Sequence, residues 1–219
     1  MRDDLDRYLH RETVQSSGSG EGKVIRQGGK VGVYAHVDVA VRPMKRGNGI
    51  QISWEAGSAI PSRFAPAVLE GIQDVLRNGI MAGMETVDVH ASVENGSYHD
   101  VDSSSDAFRE AAMLATTEAI RQAQPVLLEA VAQLTVAIPN EILLTLEENV
   151  ISSGGRITKR QSGDQMSVVE ARVPAPRSSD LFAKILVATD GRSTISLAIA
   201  GFETKPEPPD TVEEWVPAQ

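Results

Sequence analysis

From Lys30 onwards apolar and polar positions alternate. Val31, Val33, Ala35, Val37, Val39 and Val41 fall on one side; Gly32, Tyr34, His36, Asp38, Ala40 and Arg42 fall on the other. A period of two predicts a half-buried strand with one wet face. Pro43 and the Arg46-Gly47-Asn48-Gly49 turn end it, and Ile50 to Trp54 reads as its partner strand. After the loop Ala56-Gly57-Ser58-Ala59-Ile60-Pro61 the period changes. Val68, Leu69, Ile72, Val75 and Leu76 make one apolar stripe, with Glu70, Gln73, Asp74 and Arg77 opposite, so a helix is expected, stopped by Asn78-Gly79. A further strand places Val87, Val89, Ala91 and Val93 inward and ends at Asn95-Gly96. Ser103 and Asp106 are spaced as a capping pair for a second helix, which runs through Phe108, Ala111, Ala112, Ala115 and Ile120 and stops before Pro125.

The second half restarts the pattern. Val131 to Ile138 reads as a strand, Glu141 to Ile151 as a helix, and Arg156 to Gln161 and Met166 to Val173 as strands around a Ser162-Gly163-Asp164 turn. Ser179 to Ala188 reads as a helix and Ser193 to Ala200 as a last strand. The order βαββαβ predicts a ferredoxin-like sandwich. The expected organisation is α+β in two domains, 21–129 and 130–204. A flexible N-terminal segment, 1–20, precedes them, because Ser16-Ser17-Gly18-Ser19-Gly20 has linker composition. An acidic, Pro-rich tail, 205–219, is expected to be disordered.

Composition narrows the function classes. The chain has 219 residues, no Cys, and a net charge of -9. The lack of Cys removes disulfides, thiolate ligands and cysteine nucleophiles. The acidic balance argues against loose, charge-driven nucleic-acid binding, while leaving recognition by shape or a local basic edge. No apolar run approaches the roughly 18 residues a membrane span needs, and the polar N-terminus predicts no signal peptide, so a cytoplasmic protein is expected.

Gly18-Ser19-Gly20-Glu21-Gly22-Lys23 invites comparison with a phosphate loop. Ser17 stands where the first Gly belongs and Val24 follows the Lys, so no nucleotide site is expected. The four His residues have no metal-ligand spacing, and His99, Asp100, Asp102 and Ser103 lack the nucleophile elbow of a hydrolase. The expectation is a chain with no catalytic residue, cofactor, metal or small-molecule substrate. The polar loop Asn95 to Ser104, set between a strand and a capped helix, is the candidate contact surface.

That loop, Gly96-Ser97-Tyr98-His99-Asp100-Val101-Asp102-Ser103-Ser104, resembles the domain IV tip of bacterial elongation factor G. Arg11-Glu12-Thr13 resembles the end of domain III, and Glu21-Gly22-Lys23 and Tyr34-Ala35-His36-Val37 the first strand region of domain IV. Ile60-Pro61, Pro66-Ala67-Val68 and Gly71-Ile72 resemble the first tip loop and its helix, and Pro125-Val126-Leu127-Leu128-Glu129 the entry to domain V. Ser58 stands where a second Gly is usual, which marks a divergent member. The resemblance implies a left-handed βαβ domain, of the type shared with a small-subunit ribosomal protein, followed by the ferredoxin-like sandwich. It implies a monomeric ribosome-binding module without its GTPase domain, whose tip enters the decoding region beside the A-site transfer RNA and promotes translocation. His99, Tyr98, Gly96, Ser97, Asp100, Gly57 and Ser58 would form the RNA-contacting tip, and ribosomal RNA and transfer RNA would be the partners. A protection-type paralogue using the same domains, or a stand-alone scaffold, would use the same fold differently.

Overall fold

The computed structural model describes residues 8–27 and 32–204; the tail beyond 204 and the start of the Lys30–Arg42 alternation lie outside them. Among the described residues nine strands form two sheets, and four α-helices pack on them, two to each sheet. The first sheet contains β2 (Gly18–Arg26), β3 (Val33–Pro43), β4 (Ile50–Trp54) and β5 (Val89–Ser97), in the order β2-β3-β5-β4. Helices α1 (Ala65–Asn78) and α2 (Ser105–Gln122) cover one face. The alternation read from the sequence is the alternation seen: Ala35, Val37, Val39 and Val41 are buried, and their neighbours line the wet face. The helix stripe also forms, with Val68, Ile72, Val75 and Leu76 buried; Leu69 lies at its margin.

Three features of this sheet differ from the sequence reading. Ile50–Trp54 is not the hairpin partner of β3. It lies parallel to β5, which inserts between them, because α1 carries the chain over the sheet before β5 is laid down. Strand β5 does not end at Asn95-Gly96 but continues to Ser97, paired with His36. The stretch from Gly18, expected as flexible linker, is strand β2, paired with β3 from Gly18↔Val41 to Arg26↔Val33. Its glycines serve close packing. A Cβ built on Gly18, Gly20 or Gly22 would lie 2.3, 2.1 or 1.8 Å from the carbonyl oxygens of Ala119, Ala115 and Ala111 on α2. Alternate glycines on the strand thus meet an alanine at every fourth residue of the helix, and the two backbones touch. The same pairing disposes of the phosphate-loop likeness, since the backbone amides of an extended, paired strand form no cradle.

The second sheet contains β6 (Pro125–Pro139), β7 (Arg156–Ser162), β8 (Met166–Pro174) and β9 (Thr194–Thr204), with α3 (Leu143–Ser152) and α4 (Ser178–Ala188) on one face. Strand β6 lies between β9 and β8, and β7 is the far edge, all antiparallel. This is the expected βαββαβ sandwich. Strand β6 begins at Pro125 and runs without a break past residue 130, where the sequence reading put a boundary.

One strand joins the second sheet from outside the repeat. Strand β1 (His10–Val14), expected to be part of the flexible segment, pairs with the start of β6, from His10↔Glu129 to Val14↔Pro125. Its Val14 side chain enters the core of the first unit. Between them Glu12 is fully buried. Its Oε2 accepts from the amides of Ile80 (2.8 Å) and Met81 (3.1 Å), and its Oε1 from those of Ala82 (2.8 Å) and Met84 (3.1 Å). A buried carboxylate is tolerated when such bonds replace its hydration. Glu12 thereby ties the loop after α1 to a strand of the other sheet.

Candidate functional site

Strands β4 and β5 are parallel, so the loops that follow them emerge at the same end of the first sheet, where α1 and α2 begin. The loop after β5 is held at both ends. The Ser103 amide donates to His99 O (3.1 Å), and the His99 amide donates to Ser103 Oγ (2.9 Å). Ser103 Oγ donates onward to Tyr34 O (2.8 Å), and the Tyr34 amide donates to Asp102 O (2.9 Å). Both backbone polar groups of Tyr34 are therefore used on the loop, which continues the edge of β3. The helix cap is Ser104, whose side chain accepts from the Ala107 amide. The sequence reading gave the cap to Ser103, which instead fastens the loop.

His99 sits at the apex with 66% of its side chain exposed. Its ring lies 5.2 Å from that of Tyr34, and its Nδ1 is 3.6 Å from Asp102 Oδ2. The imidazole is thus oriented on one side and open to solvent on the other. Tyr98 is partly exposed, with the Arg63 guanidinium 6.0 Å from its ring centre, and Asp100 is exposed. Gly57 and Ser58 form the exposed turn of the neighbouring loop. Gly57 has φ +55, and its carbonyl accepts from the Trp54 indole at 3.3 Å.

Gly96 and Ser97 have a different place from the one expected of contact residues. Gly96 is buried, and a Cβ there would lie 2.6 Å from the Ile60 side chain and 2.5 Å from His36 O. Its missing side chain lets the 57–60 loop fold onto β5. Ser97 is half-buried, its Oγ 2.7 Å from Tyr34 Oη and 3.1 Å from His36 Nδ1. Both residues position the tip without presenting a surface. Tyr34, Ser103, Ile60 and Arg63 also belong to the site; from sequence the first three are marks of a strand, a helix cap and the first tip loop rather than site residues, and Arg63 is unmarked. The wet-face position of Tyr34 in β3 was a signal for it; nothing local marks the packing of Ile60 against Gly96.

His36 is only 15% exposed, and its Nε2 lies 3.0 Å from Glu21 Oε1 and 3.2 Å from Asp38 Oδ1. The Lys23 ammonium, 2.9 Å from Glu21 Oε1, holds the Glu21 carboxyl below the usual carboxylate range, chiefly by that hydrogen bond, and is itself raised.

The chain is thus an α+β pair of units, one presenting a fastened polar loop at the end of its sheet and the other a ferredoxin-like sandwich. Residues 9–124 match the family model for elongation factor G, domain IV, and residues 126–212 that for the elongation factor G C-terminus. The chain belongs to the elongation factor G family. A crystal structure of a protein from Thermus thermophilus aligns with 90% of this chain at 32% identity and a TM-score of 0.81. The present chain spans about 30% of the length of that protein. Among the described residues no helix is long and apolar enough to cross a membrane.

Proposed function

We propose that this chain is the ribosome-contacting part of an elongation factor G-type translation factor working in the cytoplasm. In this reading the tip formed by Tyr98, His99 and Asp100, with the Gly57-Ser58 turn beside it, enters the small-subunit decoding region. There it meets ribosomal RNA and the A-site transfer RNA, and biases their movement as a rigid wedge. The observation that carries the reading is the mounting of His99: an exposed imidazole on a loop whose backbone is bonded to Tyr34 and whose ring is turned outward. Such a group can stack on a base or donate to a phosphate without first being ordered, which lowers the entropic cost of contact. The acidic chain as a whole does not oppose this, because the contact is made by shape at one apex.

The test is His99→Ala in a chimera that joins this chain to the GTPase domains of a family member. Transfer-RNA movement is expected to slow while GTP turnover on the ribosome is spared. Because the side chain is largely exposed, stability should change by no more than about 0.5 kcal/mol. Unchanged movement together with a sharply lowered melting temperature would make His99 a structural residue and sink the proposal.

A further inference from the structure

The wet face of the first sheet carries a second cluster that the tip reading leaves unused. Glu21 on β2 and Asp38 on β3 are directly opposed cross-strand partners. Two carboxylates in that position repel one another unless a cation lies between them. His36, on the same face of β3, turns its Nε2 toward both, at 3.0 and 3.2 Å. Its Nδ1 is held 3.1 Å from Ser97 Oγ, which is itself 2.7 Å from Tyr34 Oη. An imidazole anchored through one nitrogen has its ring orientation fixed, and the other nitrogen is directed between the two carboxylates, where a metal ion would sit. One donor atom from each of the three side chains lies within 4.8 Å of the other two. Alongside is a depression of about 440 Å³ whose lining includes Glu21 and Asp38 together with Glu94 and Glu118, from β5 and α2. The ammonium of Lys23 reaches Glu21 from the same strand, and Asp38 keeps only the His36 contact among its described ion pairs.

We propose that Glu21, His36 and Asp38 form a binding site for a divalent transition-metal ion, Zn²⁺ or Mn²⁺. They supply one imidazole nitrogen and two carboxylate oxygens, with water completing the coordination. The nitrogen donor favours these ions over Ca²⁺ and Mg²⁺, which prefer oxygen-only sets. Binding uses the Nε2 lone pair, with the proton on Nδ1 directed at Ser97 Oγ. Lys23 competes for the Glu21 oxygen. The chain of contacts from His36 through Ser97 to Tyr34, whose ring neighbours His99, places the ion beside the mounting of the tip.

Isothermal titration of the 219-residue chain with ZnCl₂ and MnCl₂, and with CaCl₂ for comparison, tests this. The expected result is a single saturable transition-metal site, with Ca²⁺ weaker. His36→Ala and Asp38→Asn should each lower the affinity at least about tenfold, Ser97→Ala about tenfold through loss of the His36 anchor, and Lys23→Ala should raise it. Paramagnetic Mn²⁺ added to the unaltered protein should broaden the amide signals of His36 and Ser97 first, which checks the site without any variant. Absence of saturable binding, affinity unchanged in His36→Ala, or broadening centred elsewhere would overturn the proposal.

Discussion

Glu12→Gln probes the contact that joins the two sheets. The native carboxylate accepts four backbone hydrogen bonds, two at each oxygen, from residues 80, 81, 82 and 84. The Gln side chain has the same shape but keeps only one acceptor oxygen, and turns an NH₂ group toward two amides that are themselves donors. Two bonds are lost, and two N–H groups are left facing a donor. Hydrogen bonds to a charged group net about 1.5–3 kcal/mol each, and relaxation of the loop toward water recovers part of the loss, so the expected cost is about 3–5 kcal/mol. For a chain of this length that lowers the melting temperature by about 10 °C. Calorimetry gives the magnitude, and amide hydrogen exchange gives the place. The amides of residues 80–86 and of β1 should lose protection before the centre of β6 does. Glu85→Gln serves as the control, because Glu85 is 43% exposed and its ion pair with Arg11 is of the weak surface kind. A Glu12→Gln protein within about 1 kcal/mol of the parent, with those amides still protected, would refute the reasoning. It would mean that β1 is held by its ladder to β6 and its core side chains alone.

Other substitutions test local parts of the argument. Gly20→Ala forces α2 away from β2, since the new Cβ would sit 2.1 Å from Ala115 O; about 1–3 kcal/mol of destabilisation is expected in urea titration, and an unchanged midpoint would count against the close packing. Ser104→Ala should cost about 1 kcal/mol by removing the α2 cap, whereas Ser103→Ala should chiefly free the tip, visible as faster exchange at the His99 amide. The Glu21 carboxyl, followed by NMR, should titrate below an ordinary Glu and move back up in Lys23→Ala. A folded-state value below the unfolded one means that its small contribution is present above the unfolded pKa and lost as the pH falls through the folded one; added salt should weaken it.

Much of this protein was legible in the order of its residues. Strand β3, the α1 stripe and the whole βαββαβ unit follow from periods of two and about 3.6, which are properties of the backbone and need no partner to be recognised. The tip loop was legible too, because a polar segment between a strand and a helix start must lie at an end of the fold. What lay across from each element was decided only by the tertiary structure. The glycines of β2 read as a linker in isolation and become close-packing positions only when α2 brings Ala111, Ala115 and Ala119 against them. Strand β4 follows β3 in sequence, yet it pairs with β5, since the crossover through α1 places it beyond that strand. Glu12 looks like any charged residue near a terminus, and its four donors come from residues about seventy positions away. His36, Glu21 and Asp38 converge only through the register of β2 on β3, because a cross-strand contact depends on pairing, and pairing is not carried by either strand alone.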